Sequence, residues 1–215
     1  MFDRIAGVYD LMNAVMTVGM HQRWRERAVE LARIRPGSRA LDVASGTGDL
    51  AVALRAAGAA VVGCDFSEEM LQLAREKDPA VPFEWADALD LPYPEDSFDA
   101  ATVGFGARNF TNLGRGLAEM VRVVRPGGRV VVLEITTPQK PPLSTFFSLW
   151  FDRAVPALGR LAGDPDAYSY LPNSVKRFPG PAELAAELDR AGLEDIRWVL
   201  TAGGIIAIHA GTVAA

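Results

Sequence analysis

The sequence predicts an α/β protein: a seven-stranded, mostly parallel sheet with helices on both faces and a C-terminal antiparallel hairpin. Three observations predict it. Short apolar runs alternate with segments of helical period from residue 40 to residue 134, the pattern of a parallel sheet wrapped by crossover helices. A glycine-rich turn, Ser45-Gly46-Thr47-Gly48, links the first of these strands to a helix. Two further apolar runs flank Ala202-Gly203-Gly204, which reads as a hairpin.

The elements follow in order. FDRIAGVYDLMNAVM is a short amphipathic stretch, and a helix is expected from about Met20 to Ile34, where Met20, Trp24, Ala28 and Leu31 share one face. Arg35-Pro36-Gly37 ends it. Ala40–Ala44 reads as a buried strand, Asp49–Ala57 as a helix and Ala60–Cys64 as the second strand. Ser67 can cap a helix running to about Glu76. Val81–Trp85 and Phe98–Val103 are the third and fourth strands, and Leu113, Leu117, Val121 and Val124 mark another helix. Pro126-Gly127-Gly128 turns the chain into a fifth strand, Arg129–Glu134.

Beyond it the pattern changes. From Pro138 to about Gly163 the chain is irregular, with an aromatic cluster of Phe146, Phe147, Trp150 and Phe151 that is expected to cover something. A helix over Pro181–Ala191 has proline at its start and Gly192 just past its end. Ile196–Thr201 and Ile205–His209 form the hairpin. The whole reads as one Rossmann-like domain over residues 1–215, with an N-terminal helical lid (1–34) and a substrate-covering insertion (139–180).

Composition narrows the function. Lys and Arg number 22 against 27 Asp and Glu, and the positive charges are scattered among carboxylates, so a nucleic-acid partner is disfavoured. The single cysteine, Cys64, can form neither an intrachain disulfide nor a metal cluster. No metal-ligand spacing stands out, and no signal peptide is visible, so a cytoplasmic protein without a metal is expected. The pattern carries no signal for oligomeric state.

The chemistry-bearing string is ALDVASGTGDLA, residues 40–51. Glycine lets backbone approach a ligand where a side chain would clash, and ligands of such sheets bind outside the carboxyl ends of the strands. Gly46, Thr47 and Gly48 are therefore candidates to contact an adenosyl cofactor. Asp49 opens the following helix; it would be poor company for a pyrophosphate but would not repel a sulfonium cation, which favours S-adenosylmethionine (SAM) over NAD. A tight strand–helix turn without a ligand is the plainer reading of the same glycines. Asp65, 19 residues beyond Gly46 at the end of the second strand, can accept hydrogen bonds from both ribose hydroxyls. Asp87 and Ala88 follow the third strand, where a carboxylate and a backbone N–H could read adenine; an Asx turn competes for Asp87.

These strings in this order resemble class I SAM-dependent methyltransferases. FDRIAGVYDLMNAVMTVGMHQRWR (2–25), GFGARNFTN (104–112), RVVRPGGRVVVLEITTP (122–138) and residues 168–211 resemble the demethylmenaquinone and ubiquinone C-methyltransferases. The match covers essentially the whole chain. It implies SAM as methyl donor, a polyprenyl quinol as acceptor and peripheral contact with the cytoplasmic face of the membrane. Carried over by position, the cofactor residues are Thr47, Asp65, Asp87 and Ala88. The chain departs from the family at Ala107, often leucine, and at Gly104, where some members have serine and a cofactor contact is therefore in doubt. Most relatives also have residues before the counterpart of Phe2, which points to a shortened start.

Ring methylation needs an electron-rich carbon, so the acceptor must be the reduced quinol, and a cation beside its hydroxyl would favour the phenolate. Arg108 is the first candidate for that cation and Asn109 for orienting the second oxygen; a salt-bridged loop arginine is the competing reading. Tyr9, Asn13 and His21 lie in the N-terminal signature. His21 has a suitable reference pKa for a base, and a structural histidine reads equally well. His209, in the last strand, reads as structural. Within the family demethylmenaquinol is the leading acceptor and the methoxy-benzoquinol precursor of ubiquinone the alternative. Outside it stand a methyltransferase with another acceptor, a nicotinamide-dependent oxidoreductase and a catalytically silent SAM-binding partner.

Overall fold

The computed structural model describes residues 21–138, 141, 144–145 and 174–215. Tyr9, Asn13, the aromatic cluster at 146–151, most of the insertion and the first twenty residues of the expected lid lie outside them.

Helix α1 (His21–Leu31) precedes strand β1 (Arg39–Val43). Then come α2 (Asp49–Ala56), β2 (Ala60–Asp65), α3 (Glu68–Lys77) and β3 (Phe83–Trp85). β4 (Phe98–Gly104) leads through a 3-10 turn, Ala107–Asn109, to α4 (Leu113–Val123) and β5 (Val124–Ile135). α5 (Pro181–Arg190), β6 (Leu193–Thr201) and β7 (Ile206–Val213) complete the described chain. The seven strands lie in the order β3-β2-β1-β4-β5-β7-β6. β1 to β5 pair in parallel, and β7 runs antiparallel to both its neighbours.

Alternation along the strands builds two cores. Ala40 of β1 and Val131 and Leu133 of β5 face one layer, with Trp24 and Ala28 of α1, Leu50 and Leu54 of α2 and Leu71 of α3. Leu41, Val43, Val130 and Val132 face the other, with Leu117, Met120 and Val123 of α4 and Leu184 and Leu188 of α5. Each fully buried aliphatic side chain removes apolar surface worth about 1.5–3 kcal/mol from water. The central strands are covered on both sides, which is why they read as unbroken apolar runs and not as alternations.

Several boundaries differ from the sequence reading: β6 starts at Leu193 and not Ile196, β3 at Phe83 and not Val81, and three more differ as follows. α1 stops at Leu31: Arg33 takes a left-handed conformation (φ 53°), and Arg129 Nε donates to the Leu31 carbonyl. A contact 98 residues away in sequence thus ends the helix before Pro36 can. β5 begins at Val124, because that residue pairs with Phe98 before the chain bulges through Pro126-Gly127-Gly128 and resumes pairing at Arg129 with Ala100. β7 runs on to Val213, and Ala202–Gly204 forms a 3-10 turn between β6 and β7.

His209 lies wholly buried in β7. Its ring stacks on Trp198 at 5.7 Å, and Nε2 lies 2.8 Å from the Pro181 carbonyl at the start of α5. Burial pushes its pKa below the ordinary histidine value, and the Pro181 bond opposes this only in part. The unfolded chain therefore takes up a proton near pH 6.5 that the folded chain resists, so stability is full above that pH and falls as the pH drops. We predict that wild type loses stability between pH 7 and pH 5 relative to His209→Gln, by up to about 1.4 kcal/mol per pH unit. Paired denaturant titrations would read it, and parallel pH profiles would refute it.

Candidate active site

The carboxyl ends of β1, β2, β3 and β4 open into one cleft of about 300 Å³. The loop after β1 is set by local backbone chemistry. Ala44 turns left-handed (φ 51°), as does Phe105 at the end of the adjacent β4 (φ 59°). Such conformations are unfavourable for residues with a Cβ and gather at ligand sites. Gly106 lets these two turns meet: a Cβ there would lie 2.6 Å from the Cβ of Ala44. Gly48, with φ 82°, begins α2 beneath the ring of Phe83, which a Cβ would strike at 2.6 Å.

Asp65 ties the ends of β1 and β2 together. One carboxylate oxygen accepts from the Gly46 N–H at 2.8 Å and the other from the Ser67 N–H at 2.9 Å. Ser67 in turn caps α3 through Met70 N–H. Thr47 is buried, and its Oγ1 accepts from Lys77 Nζ at 3.1 Å. Asp87 is exposed and accepts from Leu89 N–H at 2.9 Å, so the Asx turn is present whatever else the residue does. Gly46, Thr47, Asp65, Asp87, Ala88 and Asn109 all line the cleft.

Arg108 is placed differently from its neighbour Asn109. Its side chain is only 5% exposed and its Nη1 meets Glu134 Oε1 at 2.6 Å, with Glu134 1% exposed. The guanidinium also donates to the Phe105 carbonyl, and the Arg108 N–H reaches Glu134 Oε2 at 3.2 Å. The arginine binds the β4 turn to the end of β5 and is not part of the cleft lining. His21 opens α1 half-buried and is not part of that lining either. Gly48 is likewise absent from the lining and sits against the Phe83 ring.

Two cleft residues escaped the sequence reading. Asp42, next to the carboxyl end of β1, is 1% exposed and accepts from the Thr102 hydroxyl at 2.7 Å, while Oδ2 has no hydrogen-bond partner among the described residues. Burial pushes its pKa up to about 7. A carboxylate inside an apolar strand was the available signal, since such a group is costly unless used. The other is Arg25, one helical turn beyond His21, whose Nη2 lies 2.6 Å from Asp49 Oδ2. Asp49 also takes Lys77 Nζ at 2.7 Å. With two cations on this carboxylate, its repulsion of a pyrophosphate is weaker than its position alone implies.

The strand order and the cleft at the switch between β1 and β4 define a class I methyltransferase fold. The sequence profile of the ubiE/COQ5 methyltransferase family matches residues 1–213, and the chain belongs to that family. A demethylmenaquinone methyltransferase of Thermus thermophilus is 47% identical over 218 residues, covering 98% of this chain and 99% of that protein. One from Mycobacterium sp. strain KMS is 43% identical, covering 98% and 91%. Among solved structures, a SAM-dependent methyltransferase from Thermotoga maritima superposes with TM-score 0.68 at 20% identity, covering 98% of this chain and 97% of that one. The cyclase SpnF superposes with TM-score 0.69 at 21% identity, covering 90% and 80%. A fold shared with a cyclase shows why the site and the family, and not the fold, must carry function.

Removing one partner of a buried ion pair leaves an uncompensated charge, typically worth about 3–5 kcal/mol. Arg108→Ala should therefore lower unfolding stability by roughly 3–5 kcal/mol, and the double variant Arg108→Met, Glu134→Leu should recover most of the loss. Urea denaturation of the three proteins checks this; an unchanged midpoint in Arg108→Ala would contradict the pairing.

Proposed function

We propose that this chain transfers a methyl group from SAM to a ring carbon of a polyprenyl quinol, with demethylmenaquinol as the acceptor. The observation that carries the reading is identity of 47% across nearly the full length of both chains with a protein named for that reaction. The cleft fits the donor. A carboxylate can accept about four hydrogen bonds, so Asp65 can serve both ribose hydroxyls while holding its two turns. Asp87 and Ala88, which line the same cleft beyond β3, are the candidates to read an adenine edge. Asp42 presents a buried carboxylate oxygen without a partner among the described residues, suited to a cationic ligand.

When bound, SAM supplies an electrophilic methyl group on a positively charged sulfur. The residues of this chain must align the acceptor carbon with that group and exclude water, and alignment alone can be worth roughly 7–11 kcal/mol. Asn109 lines the cleft beside Gly104 and Gly106 and is the residue to orient a quinol oxygen. Arg108 acts as a positioning residue: paired to Glu134 and the Phe105 carbonyl, it sets the turn from which Asn109 projects. Tyr9 and His21 remain the candidates for proton transfer from the N-terminal segment.

A polyprenyl tail resides in a bilayer, and no helix among the described residues is long and apolar enough to cross one. Peripheral contact at the cytoplasmic face reconciles the two.

The experiment is methyl transfer from labelled SAM to chemically reduced demethylmenaquinone, with its oxidised form and the methoxy-benzoquinol precursor of ubiquinone in parallel. We expect label in the reduced naphthoquinol and none in the oxidised form. Absence of label from every acceptor, with SAM binding intact, would sink the quinol reading. Asp65→Ala should weaken SAM binding by about tenfold or more, since it removes a charge-assisted acceptor; calorimetry checks this directly.

A further inference from the structure

The charges around the cleft are unevenly arranged. Four aspartates line it, Asp42, Asp49, Asp65 and Asp87, and among the described residues a single cation, Arg25. Three of the aspartates sit at or near the ends of β1, β2 and β3. The fourth, Asp49, is gripped by Arg25 Nη2 at 2.6 Å and Lys77 Nζ at 2.7 Å. One carboxylate held between two cations leaves this corner with a net positive charge, while the rest of the cleft wall is negative.

A ligand complementary to that arrangement is positive or hydroxyl-rich over most of its length and carries one anionic group at one end. SAM has this form. Its sulfonium and α-ammonium are cationic, its ribose offers hydroxyl donors, and its α-carboxylate is its only anion. We propose that Arg25 receives the α-carboxylate of the cofactor, with Asp49 and Lys77 holding the guanidinium in place. The inference rests on the reading of the cleft as a SAM site.

Three features of Arg25 suit it to the task. A guanidinium has five N–H donors in a planar fork, and its pair with Asp49 engages Nη2, so a second carboxylate can bind the same group. Its side chain is 16% exposed, where solvent screens a carboxylate contact far less than on open surface. It is rigidly presented: the adjacent Trp24 is buried and meets the Phe105 ring edge-on at 6.4 Å. Arg25 belongs to α1, whose Trp24 and Ala28 are already packed in the core. The cofactor's amino-acid end would bridge α1 to the glycine turn, so each strengthens the other's hold.

The test compares adenosyl ligands that carry the α-carboxylate with ligands that lack it. Calorimetry on the full chain would measure S-adenosylhomocysteine, decarboxylated SAM, SAM and 5′-methylthioadenosine, with wild type, Arg25→Gln and Arg25→Lys. Wild type should bind SAM roughly ten- to a hundredfold more tightly than decarboxylated SAM, the range of a charge-assisted hydrogen bond. Arg25→Gln should erase most of that preference and leave 5′-methylthioadenosine within about twofold, while Arg25→Lys retains part of it because the charge survives without the fork. Equal wild-type affinity for SAM and decarboxylated SAM overturns the proposal without needing any variant. So does an Arg25→Gln protein that loses all four ligands equally, or none. If wild type binds none of the adenosyl ligands, the SAM reading itself fails, an outcome distinct from the loss of carboxylate discrimination alone.

Discussion

The Asp65 carboxylate is the constraint on which the site depends. By accepting one backbone N–H from the turn after β1 and another from the turn after β2, it fixes two loops relative to each other with a single side chain. The glycine turn cannot adopt its left-handed path independently of β2, and α3 cannot start independently of the glycine turn, because Ser67 both donates to Asp65 and caps that helix. Strand pairing delivers the ends of β1 and β2 side by side; the carboxylate converts that proximity into a defined cleft wall.

A buried ion pair performs the matching service one strand over. Arg108 and Glu134 join the turn after β4 to the end of β5 inside the protein, where an ion pair is sensitive to geometry and tolerates little displacement. The cleft is thus framed by two carboxylate ties, one open to the ligand and one sealed away from it. Between them run the strained turns at Ala44 and Phe105, kept in close approach by Gly106. The strain is sustained because both neighbouring strands are anchored.

Much of this was legible in the residues. Strand–helix alternation foretold the sheet, the antiparallel hairpin and the cleft at the strand ends. Gly46, Thr47, Asp65, Asp87 and Ala88 were named from spacing and resemblance, and all line the cleft. What was not legible depended on distant partners. The direction of the Arg108 side chain is decided by Glu134, 26 residues on, and the end of α1 by Arg129, so no local window contains either answer. Asp42 was absorbed into an apolar strand because its neighbours dominate the pattern. Arg25 shares a helix face with His21 at one-turn spacing, but only the fold brings Asp49 to Arg25 and Lys77 to Asp49.

The position of β7 has a consequence for synthesis. β7 follows β6 in the chain yet lies between β5 and β6 in the sheet, so β6 has no strand partner until Ile206–Val213 has been made. During translation the exposed edge of β5, whose Val130 to Leu133 run is wholly apolar, must wait for the same segment. Long-range closure of this kind is slow compared with local pairing, and unpaired apolar edges invite association between chains. A nascent polypeptide of this design therefore passes through an interval in which its most adhesive strand is made but not covered, and that interval ends only when one late segment threads between two earlier ones.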